Sequence, residues 1–248
     1  MRAWTIGVVT AAFLMGAATT SRAAKEQFDV GEEVSRFTLK VINTDVVKVR
    51  FVGIDQFFGP EAKEPKKAIL LSFFATYCEP CKREMPFLAA LHDLYKDKGL
   101  AVVSVSIDKE PDKIEFVKTL AQQSNVKFPL LSDNFNIVAK RFFVSKLPCV
   151  YLIDGDGKVA WVNVGYNDDA SKAMVENIRK AMGEPTTDPI PEALTKLMAG
   201  HTGESVVDAA GLATKPTTDT VDGAAKGTTK TKIKGKGAKA AKAKRKKK

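Results

Sequence analysis

Histidine and cysteine are scarce in this chain of 248 residues, with two of the first and three of the second. His92 and His201 stand far apart, which disfavours a His-rich metal site, and no metal centre is expected. Three cysteines are too few for a disulfide scaffold, and an odd count leaves one thiol over. A basic excess is also missing from most of the chain. The formal net charge of +10 comes from 39 Lys+Arg and 29 Asp+Glu. From Lys215 onward there are 13 basic residues and two acids, Asp219 and Asp222, which leaves 26 basic and 27 acidic residues before it. A nucleic-acid-binding body is therefore not supported, and no nucleic-acid partner is expected. Any electrostatic partner belongs to the tail.

No apolar run comfortably spans a bilayer. Ala3 to Ala18 is uncharged for 16 residues. As a helix that rises about 24 Å, against a hydrocarbon core of about 30 Å. Met1-Arg2 precedes it and Ser21-Arg22-Ala23 follows, the layout of a secretory signal peptide over 1–23 with cleavage after Ala23. An uncleaved membrane anchor is the rival reading. Either places the body outside the cytoplasm, in the periplasm or cell envelope, where disulfide chemistry is permitted.

Val34–Ile42 and Val46–Val52 are β-branched alternating runs around Asn43-Thr44-Asp45, and predict a hairpin. Ala68–Ala75 is continuously apolar, the pattern of a strand covered on both faces, and Leu100–Ile107 is a second such run. Between them, 79–97 has helical spacing, with Met85, Leu88, Leu91, Leu94 and Tyr95 on one side. A helix over 111–123 carries Ile114, Phe116, Val117 and Leu120; a strand over 128–131 and a helix over 134–142 follow. Strands at 149–153 and 159–164 flank Asp154-Gly155-Asp156-Gly157, a hairpin turn, and a last amphipathic helix covers 170–182. This order predicts an α/β fold with a central mixed β-sheet flanked by helices, in one domain over 28–183. Residues 184–213 read as a proline-containing linker with a short helix at 192–199. Residues 214–248, rich in Lys and Ala and free of aromatics, read as a disordered tail.

Cys78-Glu79-Pro80-Cys81 lies between a buried strand and a helix. Cysteines three apart at a helix start come close enough for a disulfide. The first meets free backbone N–H groups and the positive end of the dipole, which favour a thiolate. Pro80 falls in the first turn, where its missing N–H does little harm. A zinc half-site would need a second cysteine pair, and only Cys149 remains. A structural disulfide would close almost no loop. Thiol–disulfide exchange is the chemistry this spacing suits.

The stretch FFATYCEPCKREMP resembles the active-site segment of thioredoxin-fold proteins, and more narrowly the extracytoplasmic ResA/TlpA-like thiol–disulfide oxidoreductases. Pro86 sits where that family has a kinking proline, and Leu147-Pro148 where it has a cis-proline. The chain between Cys81 and Pro148 has room for the family's inserted helix–strand segment. The resemblance covers roughly 34–182. It implies a thioredoxin-like fold, Cys78 as nucleophile and Cys81 as resolving thiol, with the Cys78–Cys81 disulfide as the redox group and no other cofactor. Pro148 would shape the substrate groove, and Leu147 would offer its backbone to an extended substrate. Tyr77 replaces the usual Trp as an aromatic wall. Ser72 stands where thioredoxin keeps a buried acid, which leaves Glu79 as the nearest candidate base and tuner of the dithiol; otherwise Glu79 is a solvated helix-start acid. Cys149 is a small buried residue at a strand start, or a third thiol able to pair with the dithiol. His92, about three turns past Cys81, is too far to serve as a base.

The resemblance implies a reductant of disulfides in substrate proteins, for example apocytochrome c before haem attachment, supplied by a membrane thiol-transfer donor. A thiol peroxidase related to the peroxiredoxins is an alternative, although Pro-x-x-x-Thr/Ser-x-x-Cys is absent before either cysteine. A copper-delivery protein on a thioredoxin-like fold is another, although its usual spacing is Cys-x-x-x-Cys. The basic tail is either a solvated extension or a tether to an anionic envelope surface.

Overall fold

The computed structural model of the chain describes residues 27–198 and 207–209. The signal segment, His201 and the basic tail lie outside the described residues. The sheet is built around two strands whose every side chain is buried, β3 (Ala68–Phe74) and β4 (Leu100–Ser106). A strand covered on both faces can be apolar throughout, which is how both read in sequence. They pair in parallel, and β5 (Leu130–Ser132) continues the parallel set beyond β4. On the other side of β3 lie β7 (Cys149–Asp154) and then β8 (Val159–Val164), both antiparallel to their neighbours. The hairpin of β1 (Thr38–Val41) and β2 (Phe51–Gly53) joins through β1 to β5, giving the order β2-β1-β5-β4-β3-β7-β8. A two-residue strand β6 (Lys146–Leu147) stands outside this sheet and pairs with β9 (Val207–Asp208).

The helices are α1 (Thr44–Val47), α2 (Glu79–Tyr95), α3 (Lys113–Gln123), α4 (Ile137–Arg141), α5 (Asp168–Met182) and α6 (Glu192–Met198). This is a thioredoxin-like α/β fold with a central mixed sheet flanked by helices. Asn167 caps α5 by accepting from the Ala170 N–H at 2.7 Å, and Gly183 ends it in the left-handed conformation (φ +72°) that glycine adopts without a Cβ penalty. Phe28, Phe37, Phe73, Phe142 and Tyr151 meet edge-on or tilted, with centroids 5.3–6.4 Å apart in the closest pairs, and bring the start of the domain onto the sheet.

Three sequence expectations shift. The hairpin's second strand was expected over 46–52, but 44–47 is a helical turn and β2 begins at Phe51. Asn43 is the cause. Its buried amide donates to the Phe128 carbonyl and its oxygen accepts from the Leu130 N–H, both at 2.9 Å. The side chain thus does the work of a strand backbone, while the chain itself turns away. Ile114 and Phe116 are exposed, with Val117, Leu120 and Ala121 as the buried face of α3; Leu94 is likewise exposed on α2.

The third shift is larger. The segment read as a linker beyond 183 packs on the domain. Glu184 pairs with Lys98 at 2.9 Å. Arg179, itself buried, donates to the carbonyls of Asp188 and Pro189 and to the Tyr95 hydroxyl. α6 then lies on α2 with Leu194 and Met198 buried. Two apolar side chains and a guanidinium fork hold down a stretch whose prolines signal only that it is not one long helix. Leu194→Ala should therefore lower unfolding free energy by about 2–4 kcal/mol in urea titration. A change within about 0.5 kcal/mol, the usual result at a surface site, would show that 184–198 adds nothing to the fold.

Candidate functional site

β3 ends at the site, and its last turn is tied down before the cysteines begin. Asp108, just past the end of β4, is buried. Its carboxylate accepts from the Thr76 N–H at 3.0 and 3.1 Å, from the Thr76 hydroxyl at 2.7 Å and from the Ser106 hydroxyl at 2.7 Å. The ends of both central strands are thereby joined at the residue two before Cys78. The Cys78 N–H donates back to the Ala75 carbonyl at 3.1 Å, closing the turn into α2.

Cys78 and Cys81 form a disulfide with Cα atoms 5.3 Å apart. Cys78 is the N-cap of α2, in extended conformation, and its Sγ accepts from the Cys81 N–H at 3.2 Å. The sulfur thus sits where an ordinary cap would place an oxygen, beside donors that stabilise negative charge. Pro80 is in the first turn and buried, and Pro86 lies inside the helix. Neither cysteine reaches solvent, at 0% and 1% exposure.

The two nearby acids of α2 have opposite environments. Glu79 is exposed, with its carboxylate 3.0 Å from the Lys82 ammonium. Glu84 is buried, one turn past Cys81, and accepts from the Ser72 hydroxyl at 3.1 Å while its other oxygen has no hydrogen-bond partner. Burial pushes its carboxyl up to about 8, with the Ser72 hydrogen bond pulling the other way. Ser72 leaves the strand without an acid, and Glu84 faces it from the helix. The signal was present: Glu84 shares the apolar face of Cys81, Met85, Leu88 and Leu91. A carboxylate there must be buried.

Cys149 is a buried free thiol, opposite Phe73 in the β3–β7 register. Burial pushes it up to about 12, and the Glu84 charge acts in the same direction. Burial raises Tyr166 to about 12, and the Glu84 charge acts in the same direction there too. Glu84, Cys149 and Tyr166 are all buried. His92 is half-buried, its ring 5.7 Å from Phe128, and burial lowers its pKa, so its surroundings are those of a packing residue.

The Leu147–Pro148 peptide is cis, and Leu147 is buried. Tyr77 is partly exposed, and its hydroxyl donates to the Ala209 carbonyl at 2.7 Å. Burial, together with the charges of Asp108 and Glu110, raises its pKa to about 12. Because Ala209 directly follows β9, which pairs with Leu147, Tyr77 and Leu147 belong to one site. On the other flank, Tyr77, Lys82, Asp112 and Phe116 line a shallow hollow, with the Lys82 ammonium 5.3 Å from the Phe116 ring. The exposed Phe116 of α3 therefore forms part of the rim of the site rather than the core.

Comparison with known proteins agrees with this geometry. Residues 30–162 match the model of the AhpC/TSA family. The chain is 30% identical over 173 residues to the thiol-disulfide oxidoreductase ResA of Bacillus thuringiensis subsp. konkukian, covering 70% of this chain and 81% of that one. It is 30% identical over 143 residues to ResA of Bacillus subtilis, covering 58% and 72%. Among solved structures, a Chlorobium tepidum protein described as a thiol:disulfide interchange protein DsbE superposes with a TM-score of 0.54 at 25% identity, covering 63% of this chain and all of that one. On this evidence the chain belongs to the AhpC/TSA family and is a thioredoxin-fold thiol–disulfide oxidoreductase with ResA proteins among its relatives.

Proposed function

We propose that the chain is an extracytoplasmic reductant of protein disulfides, with Cys78 as nucleophile, Cys81 as resolving thiol and Glu84 as the proton acceptor between them. The observation that carries this reading is the disulfide across the first turn of α2, with a buried carboxyl one turn behind it. In the reduced protein the Cys78 thiolate attacks one sulfur of a substrate disulfide. An enzyme–substrate mixed disulfide forms and one substrate thiolate leaves. Cys81 then gives its proton to the Glu84 carboxylate and attacks the Cys78 sulfur, which releases the second substrate thiolate. Two electrons pass to the substrate, and the enzyme disulfide remains. A donor dithiol then reduces the Cys78–Cys81 disulfide by the same steps in reverse and is itself left as a disulfide.

Glu84 takes the part that sequence reading gave to Glu79, because a base for a buried thiol must itself be buried, and Glu79 is turned to solvent beside Lys82. The same burial supports the reducing direction. Strong oxidants of this chemistry stabilise their reduced form as a thiolate. A buried nucleophile is denied much of that stabilisation. Tyr77, Pro148 and the Leu147 backbone form the substrate edge, and Pro80 shapes the first turn. The substrates are disulfide-bearing proteins, with apocytochrome c as one example, and the donor is a membrane thiol-transfer protein. Among the described residues no helix is long and apolar enough to cross a membrane. The basic tail, with 13 basic residues against two acids from Lys215 onward, would hold the protein to an anionic envelope surface.

Cys78→Ser should abolish insulin reduction with dithiothreitol as donor, and Cys81→Ser should accumulate a mixed disulfide. The potential should lie below about −200 mV, far from the roughly −120 mV of DsbA. A value near the latter would reverse the assigned direction.

Glu84 also makes stability depend on pH. Its folded-state pKa lies above its ordinary value of 4.5, at about 8. Between those values the folded chain keeps a proton that the unfolded chain has released, so stability is full below about pH 4.5 and is lost as pH rises through about 8. The loss is on the order of 4 kcal/mol. Urea titrations of the oxidised protein from pH 5 to pH 9 should show this decline, and Glu84→Gln should flatten it. An unchanged slope in the variant would remove Glu84 from the account.

A further inference from the structure

Residues 207–209 are distant from the dithiol in sequence, yet they are built into its surroundings. β9 pairs antiparallel with β6 in the register Lys146↔Asp208 and Leu147↔Val207. The Ala209 N–H donates to the Ser145 carbonyl at 2.9 Å, and the Ala209 carbonyl accepts from the Tyr77 hydroxyl at 2.7 Å. Three residues therefore bridge the two segments that flank the reacting sulfurs, the residue before Cys78 and the residue before Pro148.

Strand β6 is not part of the seven-stranded sheet, and among the described residues β9 is its one partner strand. A short edge of this kind, with backbone donors and acceptors facing outward, is the platform on which an extended peptide adds as a further strand. A substrate that docks on Leu147 needs this edge, and β9 already holds it. The disulfide is closed at the same time, since neither Cys78 nor Cys81 reaches solvent. Exchange requires a third sulfur to approach the S–S bond. Some contact beside the dithiol must therefore open first.

We propose that residues 207–209 are an intramolecular occupant of the substrate edge, which an extended polypeptide must displace to reach Cys78. The proposal rests on the reading of this site as one of thiol–disulfide exchange. It also assigns the substrate's geometry: a strand antiparallel to Ser145–Leu147, with a backbone carbonyl at the Tyr77 hydroxyl. The grip is suited to release. It consists of backbone hydrogen bonds over three residues and one side-chain hydroxyl, each worth little net because water replaces it on opening.

The test uses the full chain. Ala209→Pro removes the N–H that donates to Ser145 and leaves every residue of the dithiol site in place. Hydrogen exchange followed by mass spectrometry reads the pairing at 145–147 directly, without reference to activity. The rate of disulfide reduction by dithiothreitol reads access. In the variant, 145–147 should lose protection and reduction should accelerate about 5- to 30-fold, the change expected when one or two net hydrogen bonds are lost. A synthetic peptide spanning 204–212 should restore protection and slow reduction again. Unprotected amides at 145–147 in the unmutated protein would overturn the proposal, as would lost protection with an unchanged reduction rate. Failure of the exchange reading looks different: the gate would respond to Ala209→Pro as expected, but neither form would reduce insulin.

Discussion

Strand β3 is dry on both faces, and the rest of the molecule is arranged around that condition. Seven apolar or small side chains leave water together, so β4 and β7 must satisfy its backbone on either side while helices cover the faces. The difficulty comes where the strand ends, because the chain is still buried there but no longer has a ladder to pair with. Asp108 resolves it with one carboxylate that takes the Thr76 amide, the Thr76 hydroxyl and the Ser106 hydroxyl. The active turn is thus held by charge-assisted hydrogen bonds rather than by side-chain packing alone. Cys78 follows two residues later, at a place fixed by the geometry of the central strands.

The same dryness shapes the chemistry. A thiolate at a helix N-terminus is favoured by the dipole, whereas a thiolate in a buried site is not. The protein combines both conditions and adds a carboxyl with an upward-shifted pKa on the next turn. Glu84 is a costly residue to bury, and Ser72 offsets only part of that cost with one hydrogen bond. Its free oxygen is the feature that packing alone does not explain. A group that holds a proton near neutrality, beside two sulfurs that must gain and lose protons, is suited to exchange them. Cys149 is a third thiol, yet burial holds it protonated at neutral pH.

The chain beyond α5 completes the picture. α6 covers part of α2, the helix that carries the dithiol, and β9 returns to the edge beside Pro148. Sequence that looks like a connector therefore touches both the scaffold and the mouth of the site. Phe116 makes a related point on the opposite rim. Helical periodicity counts it with the core residues of α3, but it stands exposed against Lys82 beside Tyr77. Near an active site, apolar surface left uncovered by the fold is available to a partner.

By itself the sequence determined the doubly buried strands, the helix that follows them, the Cys78–Cys81 pair at its start and the proline after Leu147. Each is a local pattern: an apolar run, a 3.6-residue period, a three-residue spacing. The hairpin was legible too, except where Asn43 spends its side chain on backbone groups 85 and 87 residues away. Only the tertiary structure decided which acid of α2 is buried behind the dithiol and which is turned to solvent, since in the sequence Glu79 and Glu84 are two acids of one helix. It alone packed 184–198 on the body and laid 207–209 along Leu147. Burial and strand pairing between distant segments depend on what lies opposite a residue, and a linear pattern does not record that.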